Sequence, residues 1–174
     1  MHTASSIYYQ VIKDHYAGCY AKRTGLPYIK HIDDGLRILD HIDATEAAKA
    51  AYCLHPLTQA DEDLTTFLTR LRAGDNPYNQ FDADVIVLAI EYRNCANRYL
   101  SFHHGRDTRV PRLSPLQEVN DMLIADKVQN YHDFMAQHYG KHERSDQLYA
   151  YFHAWFDVLD IDVEDLLPLC DTAV

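Results

Sequence analysis

The sequence predicts an all-α protein, and three observations lead to that prediction. Apolar residues recur at spacings of three and four along most of the chain, which is the period of an amphipathic helix. No segment alternates convincingly at period two, as a half-buried strand would. The six glycines and six prolines fall between the periodic segments, where turns are expected. We therefore predict a compact bundle of about seven or eight helices.

The first three helices are predicted from stripes and caps. Residues 5–20 should form the first, and residues 31–42 the second, whose apolar face is a stripe. The stripe consists of Ile32, Leu36, Leu39 and Ile42. Asp43, with a glutamate three residues later, resembles a capping box and should open an Ala-rich, central helix that ends near Leu54. Pro56 should end or kink that helix.

The middle of the chain should form two helices separated by a turn. Residues 61–71 have an apolar stripe, residues 74–79 read as a turn, and residues 82–102 read as a long helix. Residues 103–113 should be a loop.

Three further helices should complete the bundle. Ser114 with Pro115 is a strong start signal for a helix that runs to about Tyr139, because a cap precedes a proline at the first helical position. Another stripe consists of Leu148, Phe152, Trp155 and Leu159. A short helix over residues 163–167 should close the chain.

Length and charge limit the classes of function. The 174 residues are the size of one domain, so we predict a single domain over residues 1–174. The net charge of −10 argues against bulk binding of nucleic acid or of an anionic membrane. No apolar run approaches the length of about 18 residues that a membrane span needs.

Four widely spaced cysteines and the N-terminal sequence predict a cytoplasmic protein. The cysteines form neither a C-x-x-C motif nor a dense framework, so reduced thiols are expected. The N-terminal residues lack the basic and apolar regions of a signal peptide.

Three polar residues are predicted on apolar helix faces, where their burial needs an explanation. His31 begins the second helix, and His55 precedes Pro56. Asp126 continues an apolar row of the helix predicted to run from Ser114 to about Tyr139. Two imidazoles and a carboxylate suit a divalent transition metal such as Mn, Fe or Zn. The alternative is that the histidines bond to the backbone in the core and that the aspartate pairs with a lysine or an arginine.

The segments that contain these residues resemble HD-domain phosphohydrolases. Within that superfamily they are similar to the hydrolase domain of the RelA/SpoT-type enzymes, which remove the 3′-diphosphate of (p)ppGpp. The similar segments read KRTGLPYIKH at 22–31, AAYCLHPLTQAD at 50–61 and IADKVQNY at 124–131. They occur in the family's order, and the likeness extends from about residue 20 to 134.

The resemblance implies an HD-domain-like fold, a divalent metal and a phosphorylated nucleotide or small molecule as substrate. It makes His31, His55 and Asp126 the metal ligands, with Mn as the first expectation and Fe or Zn as the others. It implies substrate contacts from Lys22, Arg23, Tyr28, Lys127 and Asn130.

The segment after His55 departs from the family pattern. Pro56 stands where the family has the aspartate of the His-Asp pair, and a glutamine and an alanine replace the acidic pair that follows. Asp61, Glu62 or Glu91 could supply the missing general base, although an acidic first turn that favours the helix dipole is the simpler explanation of the first two.

Three functions therefore stand open at the level of sequence. The leading hypothesis is an HD-type metal-dependent phosphohydrolase that acts on a (p)ppGpp-like nucleotide. The second is an inactive HD-fold protein that binds a nucleotide or a protein partner. The third is a purely structural helical module.

Overall fold

The computed structural model of the protein describes residues 6–21, 25–100, 110–141 and 143–170. Nine α-helices form within these ranges. They are α1 (Ile7–His15), α2 (Ile29–His41), α3 (Glu46–Leu54), α4 (Pro56–Gln59), α5 (Asp61–Ala73), α6 (Ala83–Arg98), α7 (Gln117–Gln137), α8 (Ser145–Leu159) and α9 (Val163–Leu166). Two 3-10 turns are also present, at Tyr78–Gln80 between α5 and α6 and at Leu167–Leu169 after α9.

The all-α prediction is confirmed. Extended pairing among the described residues is limited to one isolated bridge between Tyr20 and Pro27. Two of the nine helices have four residues each, so seven longer helices form the bundle. Most of the predicted loop at 103–113 lies outside the described residues, and the helix predicted to reach residue 102 ends at Arg98.

Two predicted helix starts are wrong: α3 is capped by another side chain, and α7 begins without a side-chain cap. Thr45 caps α3, since its Oγ1 accepts from the Ala48 N–H at 3.1 Å, while Asp43 adopts a positive φ of 54°. Helix α7 begins three residues after Ser114, whose Oγ accepts from the Leu116 N–H at 3.2 Å, outside the helix.

Pro56 interrupts the helix between α3 and α4, as predicted. Helix α3 ends at Leu54, and Pro56 occupies the first position of α4, where no intrahelical hydrogen bond is lost. His55 is the residue between the two helices, and it is buried. The break therefore fixes His55 at a junction from which its side chain projects into the bundle.

Helices α3 and α7 form the centre of the bundle. Helix α3 packs against α1, α2, α6 and α7, and helix α7 packs against α2, α3, α6 and α8. Both are buried along most of their length, and the α7 side chains of Val119, Leu123 and Val128 are inaccessible to solvent. Helices α2, α3 and α7 therefore meet in the interior, and each positions one predicted metal ligand.

The contact between α2 and α3 depends on Gly35. A Cβ atom at this position would overlap the hydroxyl and the ring carbons of Tyr52, which is fully buried. The missing side chain thus makes room for the Tyr52 ring beside α2. The same ring lies 5.8 Å from the His31 ring and 4.7 Å from the His55 ring, measured between centroids.

We expect Gly35→Ala to destabilise the protein by about 1–3 kcal/mol, because an overpacked core must shift its side chains. Helix propensity alone predicts the opposite sign, since alanine is favoured over glycine in a helix by about 0.5–1 kcal/mol. Urea denaturation of both proteins measures the difference in the free energy of unfolding. A more stable Gly35→Ala variant would contradict the packing account.

Gly74→Ala is the matched control for that substitution. At Gly74, φ is 71° and an added Cβ would meet no atom within 4 Å. The substitution should cost about 1 kcal/mol from backbone strain alone and should leave the surroundings of Tyr52 unchanged.

Candidate metal centre

His31, His55 and Asp126 converge at the place where α2, the α3–α4 junction and α7 meet. The Nε2 atoms of the two histidines lie 3.3 Å apart. Asp126 Oδ1 lies 3.5 Å from His31 Nε2 and 3.9 Å from His55 Nε2. His55 and Asp126 are buried, and His31 is half-buried. The structure thus brings together three ligand atoms from residues far apart in the sequence, as predicted.

Hydrogen bonds on the outer side of the imidazoles determine where their protons lie. His55 Nδ1 is 2.6 Å from the Tyr52 backbone carbonyl, and His31 Nδ1 is 2.5 Å from Gln129 Oε1. Both partners are carbonyl oxygens, which only accept, so each Nδ1 carries the proton. Each neutral imidazole therefore directs an unprotonated Nε2 towards the other and towards Asp126.

Three acceptor atoms that face one another favour a cation between them, although Asp126 Oδ1 also accepts from Asn130 Nδ2 and the Tyr52 hydroxyl lies 3.4 Å from His31 Nε2. A proton could satisfy two of them, whereas a divalent ion contacts all three. With bonds of about 2.1 Å, a tetrahedral transition-metal site separates its ligand atoms by about 3.4 Å. The observed separations of 3.3, 3.5 and 3.9 Å are close to this value. The residues present therefore fit a divalent transition metal.

Asp126 is held as an ionised carboxylate. Its Oδ2 accepts from Lys127 Nζ at 2.7 Å, and its Oδ1 accepts from Asn130 Nδ2 at 2.8 Å. Burial alone would raise the pKa of Asp126, but nearby positive charge, foremost the Lys127 ammonium, outweighs burial, so the pKa lies below its ordinary value. Because Lys127 holds Oδ2, Oδ1 is the oxygen presented to the histidines.

Lys127 is a buried cation enclosed by aromatic rings. Its Nζ lies 5.8 Å from the Tyr151 ring centroid and 5.4 Å from that of Trp155. Burial would lower the pKa of Lys127, but the Asp126 carboxylate raises this pKa by more than burial lowers it, so the net shift is upward. The ammonium therefore stays charged and neutralises Asp126.

A cavity of about 560 Å³ opens beside the three ligands. This volume suits a ligand of nucleotide size. Tyr16 and Tyr28 form one part of its wall, with ring centroids 5.5 Å apart and an edge-to-face arrangement. The lining residues include Tyr16, Tyr28, His31, His55, Pro56, Gln59, Tyr92, Asp126, Lys127, Gln129, Asn130, Asp133 and Tyr151.

The predicted substrate contacts are placed as follows. Tyr28, Lys127 and Asn130 all line the cavity. Lys22 and Arg23 lie outside the described residues.

The structure does not bring the three predicted catalytic carboxylates to the cavity. Asp61 is exposed and pairs with Arg93, and Glu62 is exposed on the first turn of α5. Glu91 accepts a hydrogen bond from the Ser114 hydroxyl at 3.3 Å. None of the three lines the cavity.

Gln129 and Asp133 are site residues that the sequence analysis missed. Both line the cavity, and Gln129 contacts His31 directly. They follow Asp126 by three and seven residues, so all three share one face of a helix. That spacing was the available signal, but polar residues at it are equally typical of a solvated helix face.

Comparisons with known proteins identify no relative. No family model matches the chain, and neither the curated proteins nor the solved structures include a match. Among the described residues, no helix is both long and apolar enough to cross a membrane. The function is therefore inferred from the site itself.

Acidification should destabilise the metal-free protein through His55. Burial, followed by repulsion from His31, lowers the pKa of His55 from 6.5 to about 3. Between these values the unfolded chain binds a proton that the folded protein does not bind. The free energy of unfolding should therefore fall by about 1 kcal/mol per pH unit below about pH 6.5. Urea denaturation between about pH 7 and about pH 5 measures this slope.

His55→Gln should remove this contribution to the slope. His41→Gln is the matched control, because it changes an exposed histidine at the end of α2. An equal slope in the wild type and His55→Gln would show that the buried imidazole is not the group responsible.

Proposed function

We propose that this protein is an HD-type metal-dependent phosphohydrolase that acts on a phosphorylated nucleotide, with a (p)ppGpp-like compound as the first candidate. The observation that supports it is the convergence of two imidazole lone pairs and an ionised carboxylate oxygen beside a cavity. A divalent ion held there would supply Lewis-acid polarisation of a phosphoryl oxygen and would activate water for attack. Mn is the first candidate, and the same donor set accepts Fe or Zn.

The charge around the cavity supports a requirement for metal in binding phosphate. Lys127 is the one cationic residue among the described residues that line the cavity, and Asp126 neutralises it. Asp133 adds a further negative charge to the wall. A phosphate group would meet no net positive charge from these side chains, so its attraction must come from a bound cation.

The second candidate is an HD-fold protein that binds a nucleotide or a protein partner without hydrolysing anything. Two observations favour it. Pro56 replaces a potential ligand with a side chain that has no donor atom, and it lines the cavity. In addition, Asp61, Glu62 and Glu91 lie away from the cavity. Turnover separates the two candidates, and we expect it to be slow if it occurs.

Nucleotide turnover under metal tests the proposal directly. Purified protein is loaded with Mn, Fe or Zn and incubated with a panel of nucleotides that includes (p)ppGpp, and released phosphate or diphosphate is measured. We expect slow, metal-dependent hydrolysis. His55→Ala should reduce it by about a hundredfold or more, because one of three ligands is lost.

The control variant is His41→Ala, which should retain full turnover. Metal-dependent binding without turnover would support the inactive protein and contradict the hydrolase. If neither binding nor turnover is detected across the panel, the small-molecule function is wrong. If hydrolysis is seen, amide variants of Asp61, Glu62 and Glu91 show whether one of them is the general base, since its loss should lower turnover about a hundredfold.

A further inference from the structure

A chain of three side chains connects the candidate metal centre to the rim of the cavity. Asp133 Oδ2 accepts from Gln129 Nε2 at 2.8 Å, and Gln129 Oε1 lies 2.5 Å from His31 Nδ1. Gln129 and Asp133 are one turn apart on α7, whereas His31 is on α2. Gln129 is 1% exposed, so water cannot replace either partner of its amide.

These hydrogen bonds have a fixed donor-to-acceptor direction, which Asp133 determines. A carboxylate accepts but does not donate, so the NH₂ group of Gln129 must point towards Asp133. The carbonyl oxygen of Gln129 then points towards His31 and accepts the proton of Nδ1. The Nε2 lone pair of His31 is thereby directed to the other ligands.

An inverted amide would block the metal site. It would present its NH₂ group to His31 Nδ1, which would have to accept, and the proton would move to Nε2. That proton would then occupy the space between His31 Nε2 and His55 Nε2, which are 3.3 Å apart. The other histidine does not share this dependence, because His55 Nδ1 donates to a backbone carbonyl that no side-chain substitution can invert.

We propose that Asp133 and Gln129 are positioning residues that set the Nδ1–H tautomer of His31 and so make it able to bind metal. This inference rests on the metal dependence proposed above. Side chains that hold the outer nitrogen of a ligand histidine typically change metal affinity by about 10- to 100-fold.

A pair of isosteric substitutions tests the polarity of the chain. In Asp133→Asn, the amide at 133 can donate as well as accept, so Gln129 is no longer held in one orientation. We expect the affinity for Zn²⁺ or Mn²⁺ alone, measured by calorimetry, to fall about tenfold or more. Asp157→Asn is the matched control, because it makes the same change at an exposed position of α8 and should leave affinity unchanged.

The double variant Asp133→Asn with Gln129→Glu restores the original polarity. The amide at 133 then donates to the carboxylate at 129, whose second oxygen accepts from His31 Nδ1. The pair also keeps the wild-type net charge. We expect metal affinity to return to within about threefold of the wild type. Loss of packing alone would not be rescued in this way.

The tautomer itself provides a second readout that needs no metal. Long-range ¹H–¹⁵N spectra of the metal-free protein should show His31 as the Nδ1–H tautomer in the wild type and the double variant. They should show a mixture, or the Nε2–H tautomer, in Asp133→Asn. The inference is overturned if Asp133→Asn has the wild-type tautomer and affinity, or if the double variant stays as weak as Asp133→Asn. A wild type that has the expected tautomer but binds no metal would contradict the proposed function while leaving the tautomer assignment intact.

Discussion

The interior of this bundle is organised around the meeting of His31 Nε2, His55 Nε2 and Asp126 Oδ1. All three atoms are acceptors, so a cation among them would stabilise their approach. Contacts further out keep them in place: the Tyr52 carbonyl and the Gln129 amide hold the imidazoles. The Tyr52 ring can lie beside α2 only because the helix has a glycine at that contact. Packing of the central helices therefore helps to hold these three side chains in place.

The charges beside this meeting point explain how an acidic protein could attract phosphate. Lys127 and Asp126 form a buried pair with no net charge, and the histidines are neutral when each directs a lone pair inwards. Asp133 adds one negative charge to this wall, so a bound divalent cation would leave a net charge of about +1 there. The affinity for an anionic ligand would then depend on the metal, even though the chain as a whole carries a charge of −10. An inactive protein that binds a nucleotide would require the same charge arrangement, so only turnover distinguishes it from a hydrolase.

The convergence of His31, His55 and Asp126 could be predicted from sequence because polar groups on apolar faces are expensive to bury, and the resemblance to HD-domain enzymes pointed to the same positions. Gln129 was not predictable, since an amide becomes informative only when its partners are known. The positions of Asp61, Glu62 and Glu91 away from the cavity were not predictable for a different reason. Acidic residues such as Asp61 favour a helix start wherever the helix points, so their position in the sequence does not place them in a cavity. The predicted start of α7 at Ser114 was wrong because the Ser114 hydroxyl accepts a hydrogen bond within the loop that precedes the helix.

The most direct test of metal binding by His31, His55 and Asp126 is a crystal structure of the protein grown with saturating Mn²⁺, with diffraction data collected for anomalous scattering. We expect one strong anomalous peak among the three acceptor atoms, about 2.1 Å from His31 Nε2, His55 Nε2 and Asp126 Oδ1. Ordered density for all three residues with no peak between them would contradict it, and so would a peak held by other residues.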